Sequence, residues 1–155
     1  MDISQQLLEQ KSNEAVAFLQ PYLHIRSTDD RDALSLALKP DEEDFDRAFL
    51  PEYAKMAKEG YQALWDTKPV PTPNLGQSQL RLVCAPAMAL LVDSPLFRFF
   101  PGGYRNIAPL LQPESWWAVF KFTEPGKTSG MAYDGLVHMG GQRWVWFPKP
   151  WRVLN

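Results

Sequence analysis

"DGLVHMGGQRWVWF", residues 134–147, decides the fold. Two runs of strand-forming residues flank Gly140-Gly141, a pair that accepts the positive φ angles of a two-residue hairpin turn. The last run sets Arg143, Val145 and Phe147 against Trp144 and Trp146. That alternation has the period of a strand, so one set is expected to face the core. With Trp144 and Trp146 inside, Arg143 lies outside with its stem packed flat. Pro148 and Pro150 cannot donate to a ladder, which predicts an extended tail with Trp151 tucked back on the domain. A turn at Asp134-Gly135 would leave very short strands, so a bulge is expected there.

The period of two continues upstream. "SWWAVFKFTEPG" (115–126) places Trp116, Ala118, Phe120 and Phe122 on one face and Trp117, Val119, Lys121 and Thr123 on the other. "QLRLVCA" (79–85) alternates in the same way, with a break expected at Pro86. "FFPGGYRNIAPLLQP" (99–113) reads as a Pro-Gly-Gly turn followed by about two helical turns. The first half has a different period. Ile3, Leu7, Leu8, Ala15, Phe18 and Leu19 form a helical stripe that Asp2 can cap and Pro21 ends. Ser27 and Thr28 with Asp29 and Asp30 begin a second helix, about 28–38. "PDEEDFDRAFLPEYAKMAKEGYQALW" (40–65) carries acids at its start and a break at Pro51, which opens a new helix. "DTKPVPTPN" (66–74) is a loop.

Helices first and strands second predict a single α+β domain over 1–155, with N-terminal helices packed on a curved antiparallel sheet that ends in a Trp-rich hairpin. The helical stripes from Phe45 to Trp65, followed by "DGLVHMGGQRWVWF", resemble the layout of the NTF2-like and cystatin-like folds. That resemblance implies helices in the concave side of a curved sheet, and a concave face that binds ligands or hosts an acid/base dyad. The superfamily includes isomerases, dehydratases, transport adaptors and non-catalytic binders, so the resemblance does not choose a function.

Composition narrows the classes. A net charge of −2 exerts no global pull on nucleic acid or anionic membrane. No apolar run reaches membrane-spanning length. The start "MDISQQLLEQKSNEA" does not read as a secretory signal, and Cys84 is the one cysteine; a reducing compartment, the cytoplasm, is expected. Residues 1–97 hold 15 acids and 9 bases, whereas residues 98–155 hold 3 acids and 7 bases. The two halves are expected either to attract each other or to present oppositely charged faces, one of them to a partner.

The chemical motifs are sparse. Gly126-Lys127-Thr128 is the tail of a phosphate loop without its first glycine or its helix, and reads as a loop between strands. "DEEDFD" (41–46) lacks the calcium-loop pattern and reads as a solvated helix start; no metal or cofactor is expected. Cys84 sits in an apolar alternating run, which predicts a buried, inert thiol. The candidate acid/base residues are Asp134 and His138, four apart on one strand and roughly 13 Å from Cα to Cα. They share a face unless the Gly135 bulge separates them, and Tyr133 stands beside them. The candidate binding residues are an aromatic and Arg group, Trp117, Tyr133, Arg143, Trp146, Trp151 and Arg152, and an acidic group, Asp41, Glu42, Glu43 and Asp44. A non-enzymatic protein-binding role is expected, of the bacterial immunity or antitoxin type, with no nucleic-acid or membrane partner. The alternative is a small NTF2-like isomerase or hydrolase, or a carrier of a small apolar ligand in an aromatic-lined pocket.

Overall fold

The computed structural model describes residues 3–154 and has the expected α+β architecture. Helix α1 (Gln5–Leu19) is capped by Ser4, whose hydroxyl accepts the Leu7 N–H at 3.1 Å; the expected cap, Asp2, lies outside the described residues. Pro21 does not stop the chain's coiling. It sits in the first turn of a 3-10 segment, Gln20–His24, where its missing N–H costs no hydrogen bond. Helix α2 (Thr28–Leu38) begins at Ser27, whose hydroxyl accepts the Asp30 N–H, and carries Asp29 and Asp30 at its positive end. Helix α3 (Glu42–Ala48) stops before Pro51, the first residue of α4 (Pro51–Asp66). No helix among the described residues is long and apolar enough to cross a membrane.

Four antiparallel strands follow in sheet order equal to chain order: β1 (Gln79–Pro86), β2 (Trp116–Thr123), β3 (Ala132–His138) and β4 (Trp144–Trp146). Short helical turns fill residues 87–115, among them α5 (Tyr104–Ile107). The β3–β4 turn is one residue longer than expected. Met139 N–H donates to Arg143 O across a Gly140–Gln142 loop, with Gly140 and Gly141 both at positive φ.

The bulge lies where the sequence places it. Ala118 pairs with Leu136 and Phe120 with Tyr133, so Val119 alone opposes Asp134 and Gly135. Gly135 has φ +83°, and a Cβ there would meet Phe147 O at 1.9 Å. That approach lets Phe147 N–H donate to Gly135 O at 2.7 Å.

Helices cover both faces of the sheet, which corrects the expectation of a single core face. One face buries Ala118, Phe120, Leu136, Trp144 and Trp146 against Ala15, Leu19, Tyr22 and Leu38 of the N-terminal helices. The other buries Trp117, Val137, Val145 and Phe147 against Phe45 of α3, Phe49 just after it and Tyr61 of α4. Trp144, Val145, Trp146 and Phe147 are therefore all buried, two on each side. The Phe147 ring centroid stands 5.1 Å from those of Phe45 and Phe49 and 5.6 Å from that of Tyr61, spacings at which aromatic edges and faces attract.

The expected extended tail is a short helix, α6 (Pro150–Val153). Pro150 holds φ near the helical value and suits the first helical position, and Lys149 enters it in the left-handed conformation (φ 49°). Trp151 packs half-buried beside Gly103, 5.5 Å from the Tyr104 ring, as the tucked-back reading expects.

Gly135→Ala combines a left-handed φ with a backbone clash and is expected to cost about 2–5 kcal/mol of stability. Gly141→Ala, at positive φ but with open space around it, is expected to cost about 1–2 kcal/mol. Urea unfolding of both variants checks the difference.

Candidate functional site

The two groups of candidate binding residues meet each other. Asp44 is 0% exposed, at the third position of α3, where its Oδ2 accepts the Asp41 N–H at 2.6 Å and closes the helix start. Arg143 reaches across from the hairpin. Its Nη1 donates to Asp44 Oδ1 at 2.8 Å, and its Nη2 bonds Asp44 Oδ2 and, at 3.2 Å, Asp41 Oδ2. Arg47 adds a third cationic donor at 2.9 Å. Glu42 and Glu43 stay on the surface, paired with Lys58 and Arg47. The unequal charge of the two chain halves is thus partly used inside the molecule. Burial alone would raise the Asp44 pKa; the hydrogen bonds from Arg143, the Asp41 N–H and the charge of Arg143 outweigh it and hold the carboxyl below its ordinary value.

The Gly135 bulge separates the two candidate acid/base residues. Asp134 faces the side of Tyr104, and His138 faces the side of Trp144, so they cannot line one pocket. His138 packs on Trp144 at 4.7 Å and joins the hairpin to α1. Lys11 donates to its Nδ1 at 2.9 Å and Nε2–H donates to Gly141 O at 2.8 Å, an arrangement that fits the neutral Nε2–H tautomer.

Asp134 is 5% exposed. Tyr104 O–H donates to its Oδ2 at 2.6 Å and Lys149 N–H at 3.0 Å. The left-handed Lys149 aims that N–H. Burial raises the Asp134 pKa, with Tyr104, the Lys149 N–H and the nearby charges of Lys149 and Arg152 opposing the shift. Burial and then the Asp134 charge push the Tyr104 phenol up, so it remains a donor. Asp134 Oδ2 is engaged, and its Oδ1 has no hydrogen-bond partner among the described residues. Asp134 lines an open groove of about 400 Å³ together with Tyr61, Leu64, Met131, Tyr133, Trp146 and Val153, with Lys149 and Arg152 also lining it.

A second recess, about 390 Å³, lies over the end of the sheet that the helices leave open. Arg81, Val83, Val119, Lys121, Thr128 and Phe99 line it, and Ala132 lines both recesses. Phe99 is 62% exposed and Met131 is 65% exposed. Arg81, Lys121, Lys149 and Arg152 form no ion pair among the described residues.

The aromatic candidates are not a surface patch. Trp117 is fully buried and donates to Ser115 Oγ, and Trp146 is buried with Nε1–H on Asp134 O at 2.6 Å. Both belong to the core because the sheet is covered twice. Tyr133 is half-buried, its hydroxyl donating to Thr72 O at 3.3 Å. Arg152 is exposed and lines the Asp134 groove. Gly126-Lys127-Thr128 lies in the β2–β3 loop, as expected. Burial pushes the Cys84 thiol up to about 12, in keeping with an inert side chain. Sequence reasoning missed Tyr104, Lys149, Phe99 and Arg81. The signal for Phe99 was three phenylalanines within residues 97–100, unusually apolar for a turn-rich segment.

Asp44→Ala is expected to cost about 2–4 kcal/mol at pH 7, since it removes the buried carboxylate between Arg143 and Arg47, leaving them only the exposed Asp41 and Glu43, and opens the start of α3. Because the folded pKa of Asp44 lies below the unfolded one, its contribution is present above the unfolded value of about 3.9 and is lost as pH falls through the folded value. The gap between variant and wild type therefore narrows in acid, which urea titrations across pH 2–7 check. No protein-family model, no curated protein and no solved structure matches this chain.

Proposed function

We propose that this chain is a non-catalytic module that binds another protein through the open end of its sheet and the adjoining Asp134 groove. The observation that carries this reading is the surface itself: exposed Phe99 and Met131 among four cations that no carboxylate of the described residues pairs with. Apolar side chains ringed by unpaired charge are the composition of an interface rather than of inert surface. An immunity or antitoxin role is one instance, the partner then being a toxin with an acidic face. The acidic stretch supports that role less well, because Asp41 and Asp44 bind Arg143.

The test is capture from native extract. Wild type is expected to retain a partner that Phe99→Asp plus Met131→Asp loses, while Leu75→Asp, on a fully exposed loop residue, retains it. Circular dichroism confirms that all three fold. Retention by the double variant would sink the assignment of this surface. Capture through the cations is also expected to weaken between 50 mM and 500 mM salt.

A second reading is favoured by one observation, a buried carboxyl whose Oδ1 has no partner among the described residues and which lines a groove with Tyr61, Leu64 and Trp146. It makes the chain a carrier or small enzyme that takes a ligand with one hydrogen-bond donor and an apolar body. Trp146 lines that groove, so a bound ligand is expected to shift tryptophan emission in wild type and not in Asp134→Leu.

A further inference from the structure

We infer that the outer edge of β1 receives an extended acidic segment of the partner protein as a fifth, hydrogen-bonded strand of the sheet. This deepens the protein-binding reading and rests on it.

Strand β1 stands at the end of the sheet order, paired on one side with β2. Along residues 79–83 the chain is exposed or half-buried. No backbone group of that stretch bonds a second backbone partner among the described residues. Alternate N–H and C=O groups there point outward over about 17 Å. Unpaired outward groups on a strand are the template on which extended peptides add.

The neighbouring face supplies the side-chain readout. Arg81 and Val83 of β1 lie opposite Lys121 and Val119 of β2, so all four project to the face that holds the open recess, with Phe99 beside them. An added strand sends every second side chain to that face. There it meets two apolar patches, Val83–Val119 and Phe99, and two cations. Arg81 spends its Nε on Lys127 O at 3.0 Å and keeps its terminal nitrogens available. A segment alternating carboxylates with branched apolar residues fits this edge: its carboxylates, all on the recess face, meet Arg81 and Lys121, and its apolar residues, all on the opposite face, meet the half-buried Leu80 and Leu82.

The same residue disfavours a second copy of the chain. Antiparallel pairing of β1 with itself, centred on residue 80, 81 or 82, brings two Arg81 side chains directly or diagonally opposite, with Cβ atoms about 5–8 Å apart. Like charges so placed oppose the pairing, as edge cations do in sheets that resist self-association.

The probe is a fluorescein-labelled nonapeptide alternating Glu with Val, read by anisotropy against a block isomer with its four Glu contiguous. The alternating peptide is expected to bind wild type at least tenfold more tightly than the block isomer. Arg81→Glu and Lys121→Glu are each expected to weaken it at least tenfold, and Arg81→Lys by less. Hydrogen exchange is expected to show alternate amides of residues 79–83 slowed by the peptide. Equal binding of both isomers, no binding to wild type, indifference to Arg81→Glu, or no slowed amides on β1 would each overturn strand addition. So would a concentration-dependent dimer in place of peptide binding, which would give the edge to a second copy. Failure here is separable from failure of the broader reading. A native partner held equally by wild type and Arg81→Glu, yet lost from Phe99→Asp plus Met131→Asp, leaves the binding module standing and removes only the added strand.

Discussion

The backbone contact between Gly135 and Phe147 is the constraint on which the rest depends. Only a residue without a Cβ lets the chain leaving β4 come within a hydrogen bond of the bulge. Because it does, the Phe147 ring enters the cluster of Phe45, Phe49 and Tyr61. The extra residue of the bulge also shifts the alternation of β3 by one. Tyr133 and Leu136 then face the N-terminal helices, while Asp134 turns toward Tyr104. One local irregularity thus seats a core aromatic, buries a carboxyl and parts it from His138.

Arg143 and Asp44 act on a larger scale. They connect residues 99 positions apart and join the start of α3 to the turn of the last hairpin. A buried carboxylate is tolerable here because its oxygens are occupied by two guanidinium groups and a backbone N–H. The pair resembles a latch more than a source of net stability, since desolvation offsets much of the attraction. Its specificity is plainer: an arginine with two planar donors suits the two carboxyl oxygens, and a lysine cannot reproduce that geometry.

Local features were legible in the sequence. Ser27 before Asp29 and Asp30 marked the start of α2, Pro51 marked α4, and the alternation of residues 116–122 gave the strand and both of its faces. The bulge was legible from a glycine in a strand pattern. The particular partners of side chains that meet across distant segments were not legible. "WVWF" reads as half-buried by alternation alone, and only the second helical layer buries both halves. The partner of Asp134 is Tyr104, 30 residues earlier in a turn-rich stretch, and nothing in the spacing connects them. Asp41 and Asp44 read as solvated helix-start acids because their cation, Arg143, arrives from the far end of the chain. Phe99 and Arg81 went unnoticed because an exposed aromatic and an edge arginine look ordinary until a fold places them around one recess.

The distance between Asp44 and Arg143 along the chain has a consequence for synthesis. At ribosomal speeds of about 5–20 residues per second, roughly 5–20 s separate the emergence of α3 from that of the strand that completes its cluster. For that interval Phe45 and Phe49 have no Phe147 to pack on, and the carboxylate of Asp44 has the Asp41 N–H and Arg47 but not Arg143. The helices of the nascent chain must wait with their apolar sides uncovered. Closure of this aromatic cluster is therefore a late event, governed by the hairpin that carries Arg143 and Phe147.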